Sequence, residues 1–179
     1  MREKEEYAVI LDFLPHGYFG QEKRIPVAQA IGTLNFTLLQ LVPKKGATLQ
    51  LKEEVYIGSE KRDKISYIYG RLPGDKLTET AKLNLHEFIK KAIEKNEKKF
   101  VDFFNNSEPV NTRLHQLELI PGFGKKHTEN IIKERQIKPF TSFDDLHNRI
   151  KSLPDAKKSI EKRILEELEN PTKYKLFVN

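Results

Sequence analysis

The stretch LELIPGFGKKHTENII, Leu117 to Ile132, decides the interpretation of the C-terminal part of the chain. Apolar residues at helical spacing flank a Pro-Gly-Phe-Gly turn, and two lysines follow this turn directly. A Gly-x-Gly turn that enters a helix exposes consecutive backbone N–H groups at the helix N-terminus, where the dipole favours an anion. The pattern predicts a phosphate-binding site formed by Gly122, Phe123, Gly124, Lys125 and Lys126, in which the phenylalanine points inward.

The apolar pattern of this stretch returns in LPDAKKSIEKRIL, where Pro154 follows Pro121 by 33 residues. The second copy has lost its glycines, and Asp155 stands in place of the first one. An ungapped repeat predicts two helix–hairpin–helix units that share a core. We expect the first hairpin, residues 119–125, to be functional. The second, residues 152–158, is predicted to be degenerate, because a side chain at a glycine position blocks close approach.

The N-terminal part of the chain has the composition of β structure. Strands are predicted in YAVILDFL, LNFTLLQLV, ATLQL, VYIG and ISYIYGRL, and IPVAQAIG between the first two is interpreted as a helical turn. Five short strands separated by polar turns predict a small closed barrel or a sandwich. The oligonucleotide-binding (OB) type of barrel is preferred.

From Leu77 onward the apolar period becomes helical. Thr78 is a plausible N-cap, and Ser142 and Asp145 stand at capping-box spacing. The loop-forming stretch NNSEPVNT interrupts the pattern and marks a boundary. The chain is therefore predicted to be α+β, with an OB-like barrel (1–76), a connecting helical segment (77–106) and a double helix–hairpin–helix domain (107–179).

A second candidate surface lies on the predicted barrel, in KISYIYGR. Alternation along a strand places Tyr67, Tyr69 and Arg71 on one face. Aromatic side chains beside cations form a platform on which single-stranded bases stack. The alternative is that the tyrosines pack against the following helix. The predicted surface also includes the loop cations Lys44, Lys45, Lys61, Arg62 and Lys64.

The composition limits the classes of function. The 179 residues carry a formal net charge of +6, which is compatible with a polyanionic partner without proving one. Cysteine is absent, which excludes disulfides, thiolate zinc sites and cysteine nucleophiles. No apolar run has the roughly 20 residues that cross a bilayer, and the charged N-terminus does not resemble a secretory signal. We expect a cytoplasmic protein with no membrane partner.

Enzymatic motifs were not found. HExxH, GxSxG and P-loop patterns are absent, and no histidine and carboxylate cluster has metal-ligand spacing. Base-excision glycosylases with a helix–hairpin–helix motif place a catalytic aspartate near the position of Asp144, but a first-turn carboxylate is expected there on helix grounds alone. We predict a protein that is not an enzyme.

The hairpin residues resemble the helix-hairpin-helix superfamily, although Thr128 stands where many members have alanine. The resemblance implies that the N–H groups of Gly122 and Gly124 bind backbone phosphate. It also implies a possible K⁺ or Na⁺ ion held by the carbonyls of Glu118, Ile120 and Phe123. We expect no other cofactor.

Nearly the whole chain resembles the archaeal "domain of unknown function 655" family, in blocks such as AQAIGTLNFTLLQLVPKKG, TRLHQLELIPGFGKKH and RILEELENPTKYKLFV. The resemblance implies a small barrel joined to tandem hairpins and a presumed nucleic-acid partner. We expect binding to RNA, or to the ribosome or another ribonucleoprotein, rather than to DNA. The alternatives are a DNA-binding or DNA-repair accessory protein and a protein-interaction scaffold.

Overall fold

A computed structural model describes residues 3–179 of the chain. The N-terminal strands form one antiparallel sheet that is curled into a half-barrel. They are β1 (Tyr7–Leu14), β2 (Val27–Gly32), β3 (Leu38–Pro43), β4 (Glu54–Tyr56) and β5 (Ile65–Arg71). Their order across the sheet is β4-β1-β2-β3-β5, so β4 and β5 are its two edges.

The α+β class is confirmed, but the predicted closed barrel is not, because the sheet is open between β4 and β5 in the part of the chain described. Two local predictions are also wrong. IPVAQAIG contains strand β2 rather than a helical turn, and ATLQL lies in a loop. All six residues of β2 are buried, and a continuous buried run has no period that distinguishes a strand from a helix.

The centre of the sheet is apolar and is connected to the first long helix by polar contacts. Gln29 on the buried strand β2 donates from Nε2 to the Lys76 carbonyl at 2.8 Å, and its Oε1 accepts from the Thr78 N–H at 3.0 Å. A buried amide paired on both sides fixes its neighbours without a desolvation penalty. The core contains Ala8, Ile10, Ala28, Ala30, Leu39, Leu41, Leu49, Val55, Ile57 and Ile65.

Five α-helices follow the sheet. They are α1 (Glu79–Lys95), α2 (Glu97–Asn106), α3 (Lys125–Ile137), α4 (Phe143–Arg149) and α5 (Ala156–Glu169), with short 3₁₀ helices at Gly74–Lys76 and Gln116–Leu119. The predicted caps are present. Thr78 Oγ1 accepts from the Ala81 N–H at 3.0 Å, and Ser142 Oγ accepts from the Asp145 N–H at 2.9 Å.

The chain divides into two compact units whose limits differ from the predicted ones at 76 and 106. We call residues 3–87 with 167–179 the sheet unit and residues 88–166 the helical unit. The first turns of α1 belong with the sheet, since Asn84 Nδ2 donates to the Leu11 carbonyl at 2.8 Å. The C-terminal residues belong there too, since the Asn179 N–H donates to the Asn35 carbonyl at 3.2 Å.

The two hairpins differ in where their second helices begin. Helix α3 begins after Gly124 and α5 begins after Asp155, so the residues before the helices are 31 rather than 33 positions apart. The turn from the proline to the helix is therefore two residues shorter in the second hairpin. The offset of 33 nevertheless pairs the buried Ile131 with the buried Ile164, so the apolar face of the repeat continues beyond the turn.

Arg135 fixes the end of α2 within the helical unit. Its Nη1 donates to the carbonyls of Phe104 and Ser107 at 3.1 and 2.9 Å, and to Ser107 Oγ at 3.0 Å. We expect Arg135→Ala to lower the free energy of unfolding by about 2 kcal/mol, because charge-assisted hydrogen bonds to helix-terminal carbonyls are lost. Urea denaturation measures this, and Ile137→Ala, an exposed change on the same helix, is the matched control. Equal stability of the two variants contradicts the prediction.

Within residues 3–179 no helix combines the length and the apolar character that crossing a bilayer requires.

Candidate nucleic-acid interface

The two glycines of the predicted turn differ in conformation, left-handed at Gly122 and extended at Gly124. Gly122 has φ +84, and a Cβ added there lies 3.4 Å from Pro154 Cγ of the second turn. Gly124 has an extended backbone, with φ −106 and ψ −171, and open space around the position of a Cβ. The left-handed conformation therefore requires glycine at Gly122, while Gly124 leaves space in front of the helix N-terminus.

Phe123 is buried, as expected for the residue that fixes the turn. Its ring lies 5.9 Å from that of Phe104, measured between centroids. The exposed groups of the turn are the backbone of Gly122 and Gly124 and the side chains of Lys125 and Lys126. Phe123 thus supports the predicted site from beneath and offers no surface to a ligand.

The backbone donors at the start of α3 are only partly used. The Gly124 N–H donates to His127 Nδ1 at 3.2 Å, which differs from its expected role as a free phosphate donor. The N–H groups of Lys125, Lys126 and His127 have no acceptor among the described residues. Three donors therefore point out of an exposed helix N-terminus that has no first-turn acidic residue.

Two side chains at this helix start were not identified from the sequence. Thr128 is buried, and its hydroxyl donates to the Gly124 carbonyl at 3.0 Å, which explains a threonine at a position where alanine is common. His127 is the third residue of the helix, the position from which a side chain reaches back to the capping residue. The spacing of Gly124 and His127 is the signal that indicates this contact.

The N-terminus of α5, by contrast, is closed by the protein itself. Asp155 Oδ1 accepts from the Lys158 N–H at 3.2 Å, and His147 Nε2 accepts from the Ala156 N–H at 3.2 Å. A carboxylate at an N-cap satisfies the first-turn donors and places negative charge where an anion binds. The two helix starts therefore have opposite character, one open and one blocked.

The carbonyls expected to hold a monovalent cation lie in the same turn. The carbonyl of Ile120 accepts from the Phe123 N–H at 3.0 Å, while those of Glu118 and Phe123 have no donor within the described chain. Carbonyl oxygens are suitable ligands for such an ion, and the cation site stays a prediction. Residues 3–179 contain no group of three histidine, aspartate or glutamate side chains placed to hold a metal ion.

On the edge strand β5, Tyr67 and Tyr69 are 43% and 54% exposed, so they are not packed away beneath a helix. Tyr67 pairs with Val42 whereas Arg71 pairs with Leu39, and Tyr69 is the extra residue of a bulge between them. Cross-strand partners share a face, and positions three apart on a strand face opposite sides. The prediction that Arg71 shares a face with the tyrosines is wrong, because the bulge shifts the alternation.

Three of the predicted loop cations are held by the protein. Lys44 Nζ donates to the Arg62 carbonyl, and Arg62 Nε donates to the Gly58 carbonyl at 2.8 Å. Lys64 Nζ forms an ion pair with Glu53 at 2.7 Å. These contacts organise the loop before β5 and reduce what the three side chains offer to a ligand.

Lys45 and Lys61 are the predicted loop cations without such contacts; their side chains have no polar partner among residues 3–179. The ion pair of Lys64 with Glu53 affects the pKa of the carboxyl group. Burial by itself raises the pKa of Glu53, but the Lys64 ammonium and the Gln50 N–H outweigh it, so this pKa lies below its usual value.

His115 occupies a buried position before the first hairpin. Its Nδ1 accepts from the Leu117 N–H at 3.1 Å, while its Nε2 is buried without a partner among the described residues. Burial, and then the Arg135 guanidinium, lower the pKa of His115 below its ordinary 6.5, against the opposing pull of the Glu118 carboxylate. The folded protein therefore holds this imidazole neutral.

This shift predicts a loss of stability in mild acid. The unfolded chain binds a proton at His115 more readily than the folded chain, so stability falls as pH drops below about 6.5. We expect a lower melting temperature at about pH 5.5 than at about pH 7, and a smaller difference in His115→Asn, whose amide oxygen still accepts from the Leu117 N–H. Identical pH dependence of the two proteins contradicts the assignment to His115.

Asp144, the residue considered for glycosylase chemistry, is exposed on the first turn of α4 and has no hydrogen-bond partner among residues 3–179. Its neighbour Asp145 instead contacts the Thr141 N–H at 3.1 Å and Arg149 Nη1 at 3.3 Å. The absence of catalysis stays a prediction.

Comparisons with known proteins find close relatives in archaea. The model of the family described as "Protein of unknown function (DUF655)" matches residues 4–179. The uncharacterized protein MJ0038 of Methanocaldococcus jannaschii is 42% identical over 176 residues, which cover 97% of this chain and 80% of that protein. The crystal structure of Af1531 from Archaeoglobus fulgidus, described with the same family, superposes with a TM-score of 0.84 at 44% identity. That match covers 98% of this chain and 100% of that one.

Proposed function

Since the chain belongs to the DUF655 family, whose matching members are uncharacterised, we propose a function from the residues of this chain itself. It is a non-enzymatic nucleic-acid-binding protein. In this proposal, backbone phosphate binds at the N-terminus of α3. The N–H groups of Lys125, Lys126 and His127 donate to the anion, and the two lysine ammonium groups add full charges.

The observation that carries the proposal is the contrast between the two helix starts. Helices α3 and α5 both follow a proline-containing turn and both have two exposed lysines near their first turn. Asp155 and His147 occupy two of the first-turn donors of α5, whereas α3 follows a glycine and leaves three donors exposed. A turn with a purely structural role is slightly better served by a capping side chain, which stabilises a helix by roughly a few tenths of a kcal/mol relative to glycine.

The finer features of the fold are part of this proposal. We assign the 3₁₀ helix Gln116–Leu119 with α3, and α4 with α5, to the two units of a double helix-hairpin-helix domain. Gly122 supports this pairing because its position for a Cβ faces Pro154 of the other turn. We assign the half-barrel to an open relative of the OB barrel.

The proposed partner is RNA, alone or within a ribonucleoprotein such as the ribosome. Phosphate contacts supply affinity without sequence readout, so they suit RNA and DNA alike. Sequencing of nucleic acid crosslinked to the protein in archaeal cells separates the two. Recovery of DNA in place of RNA favours a DNA-binding or repair accessory role, and recovery of neither favours a protein-interaction scaffold.

Salt dependence of binding tests the proposal directly. Neutralising phosphates releases counterions, so we expect the dissociation constant for a mixed RNA pool to rise at least about tenfold between about 50 and 200 mM KCl. Fluorescence anisotropy with a labelled pool measures it. An affinity that does not change over this range is incompatible with phosphate recognition and supports the scaffold.

A further inference from the structure

The loop between β1 and β2, residues 15–26, presents an aromatic side chain entirely to solvent. Phe19 is 99% exposed, and its neighbour Tyr18 is half-buried. The loop is folded back on itself at Gly17, where φ is +69 and an added Cβ lies 2.5 Å from the Ile25 carbonyl oxygen. A compact turn therefore holds the exposed ring.

Tyr18, the neighbour of Phe19 in the chain, lines a cavity of about 340 Å³ in the sheet unit, which we call the aromatic slot. Tyr69 also lines it, together with the apolar residues Ile25, Val27 and Val42 and the polar residues Gln21, Glu22 and Lys23. Burial is the main cause that raises the pKa of Tyr18, and the Gln29 amide donates to its hydroxyl at 3.4 Å. The slot thus combines two tyrosines and an aliphatic wall with polar groups.

Cations belong to the two connections at this end of the sheet. Leu14 pairs with Val27, and Ala28 pairs with Leu41, so the β1–β2 loop and the turn after β3 lie at the same end of the sheet. Lys23 lines the slot itself. The cations of these two connections whose side chains have no polar partner among residues 3–179 are Lys23, Arg24 and Lys45. Glu22 is the acidic residue that lines the slot.

From this arrangement we infer that the aromatic slot and Phe19 form a binding site for the unpaired bases of a single-stranded nucleic acid. One base enters the slot lined by Tyr18 and Tyr69, the next stacks on Phe19, and the cations contact the connecting phosphates. The inference depends on the proposed nucleic-acid function for its partner, and it adds unpaired bases as the ligand class.

The chemistry favours a single strand over the other candidate ligands. A duplex keeps its bases stacked inside, so it offers the aromatic rings no face. An acidic peptide satisfies the cations but has no aromatic face to stack on Tyr18 and Tyr69. Unpaired nucleotides supply both the flat apolar faces and the negative charge.

Single aromatic substitutions test this site in the full chain. The probes are a fluorescein-labelled oligouridine of about 15 nucleotides, within the site size of such proteins, and an RNA duplex of equal length. We expect Phe19→Ala and Tyr69→Ala each to weaken oligouridine binding about tenfold, the loss of one base–aromatic stack, while duplex binding changes less than about twofold. Leu83→Ala, which removes another exposed apolar side chain of the sheet unit, is expected to change neither.

Phe19→Trp and Phe19→Leu separate stacking from hydrophobic contact. Tryptophan is expected to keep or improve oligouridine binding, and leucine is expected to lose it as alanine does. Normal binding by the leucine variant overturns the inference, as do equal losses on both probes. Loss of affinity for a polyglutamate peptide, with oligouridine binding unchanged, assigns the slot to an acidic peptide and also overturns it.

A change at the hairpin separates failure of this inference from failure of the proposed function. In the same assays Gly124→Asp removes the phosphate site of α3 and leaves the slot intact. If Phe19→Ala is silent while Gly124→Asp loses affinity, the aromatic slot is wrong and the hairpin site stands. If only Phe19→Ala loses affinity for the single strand, the hairpin site is wrong and the slot stands.

Discussion

Replacing Gly124 with aspartate is expected to reduce nucleic-acid affinity about 100-fold without lowering the melting temperature. The backbone of Gly124 is extended, and nothing lies within 4 Å of an added Cβ, so a side chain is accepted without strain. The new carboxylate caps α3 as Asp155 caps α5, and it takes the donors that bind phosphate. Loss of two charge-assisted hydrogen bonds, each at the low end of its range at about 1.5 kcal/mol, gives about the expected factor.

Gly124→Asn is the matched control for this substitution. Asparagine caps a helix about as well as aspartate and has nearly the same size, but it carries no charge to repel a phosphate. We expect the nucleic-acid affinity of this variant to lie between those of the original protein and the aspartate variant. Fluorescence anisotropy measures the affinity, and a thermal melt is recorded for each protein. An aspartate variant that is folded and binds like the original protein shows that the glycine turn is only a turn.

Reversing the charges of Lys125 and Lys126 is the second change with a large expected effect. We expect the double variant Lys125→Glu, Lys126→Glu to lose about 100-fold in affinity, because two ammonium groups next to the exposed donors become carboxylates. Acidic side chains in the first turn interact favourably with the helix dipole and stabilise the helix, so we expect the variant to fold. The measurement is the dissociation constant for RNA at fixed salt.

The chain contains its own control for overall charge. Lys157→Glu with Lys158→Glu changes the same number of charges near the first turn of α5, so both double variants lower the formal charge from +6 by four units. We expect the α5 variant to bind within about threefold of the original, because the start of that helix is already closed. Equal losses in the two variants show that net charge, not the α3 site, controls binding.

Much of the local structure was predictable because its causes are local. Thr78 and Ser142 are caps in the structure, since a short polar side chain before an apolar period bonds to a backbone N–H three residues away. Phe123 is buried, as its place between two glycines indicates. The position of Gly124 as the last residue before a helix also follows from the amino-acid sequence.

The predictions that failed concern contacts between residues far apart in the sequence. Strand β2 was misread because it is covered on both faces, which only the assembled sheet reveals. The bulge at Tyr69 depends on register with β3, and it moved Arg71 to the opposite face. Three loop cations are held by distant partners, as Lys64 is by Glu53.

The sequence by itself determined the α+β class, the family, the glycine turn before α3 and the difference between the two hairpins. Each is encoded by residue type at fixed short spacing, where propensity and capping chemistry act. The tertiary structure alone decided that the sheet is open, that His147 helps to close α5, and that Tyr18 and Tyr69 line the same slot. These features arise when distant segments meet, and the energy of such contacts depends on geometry that no local pattern contains.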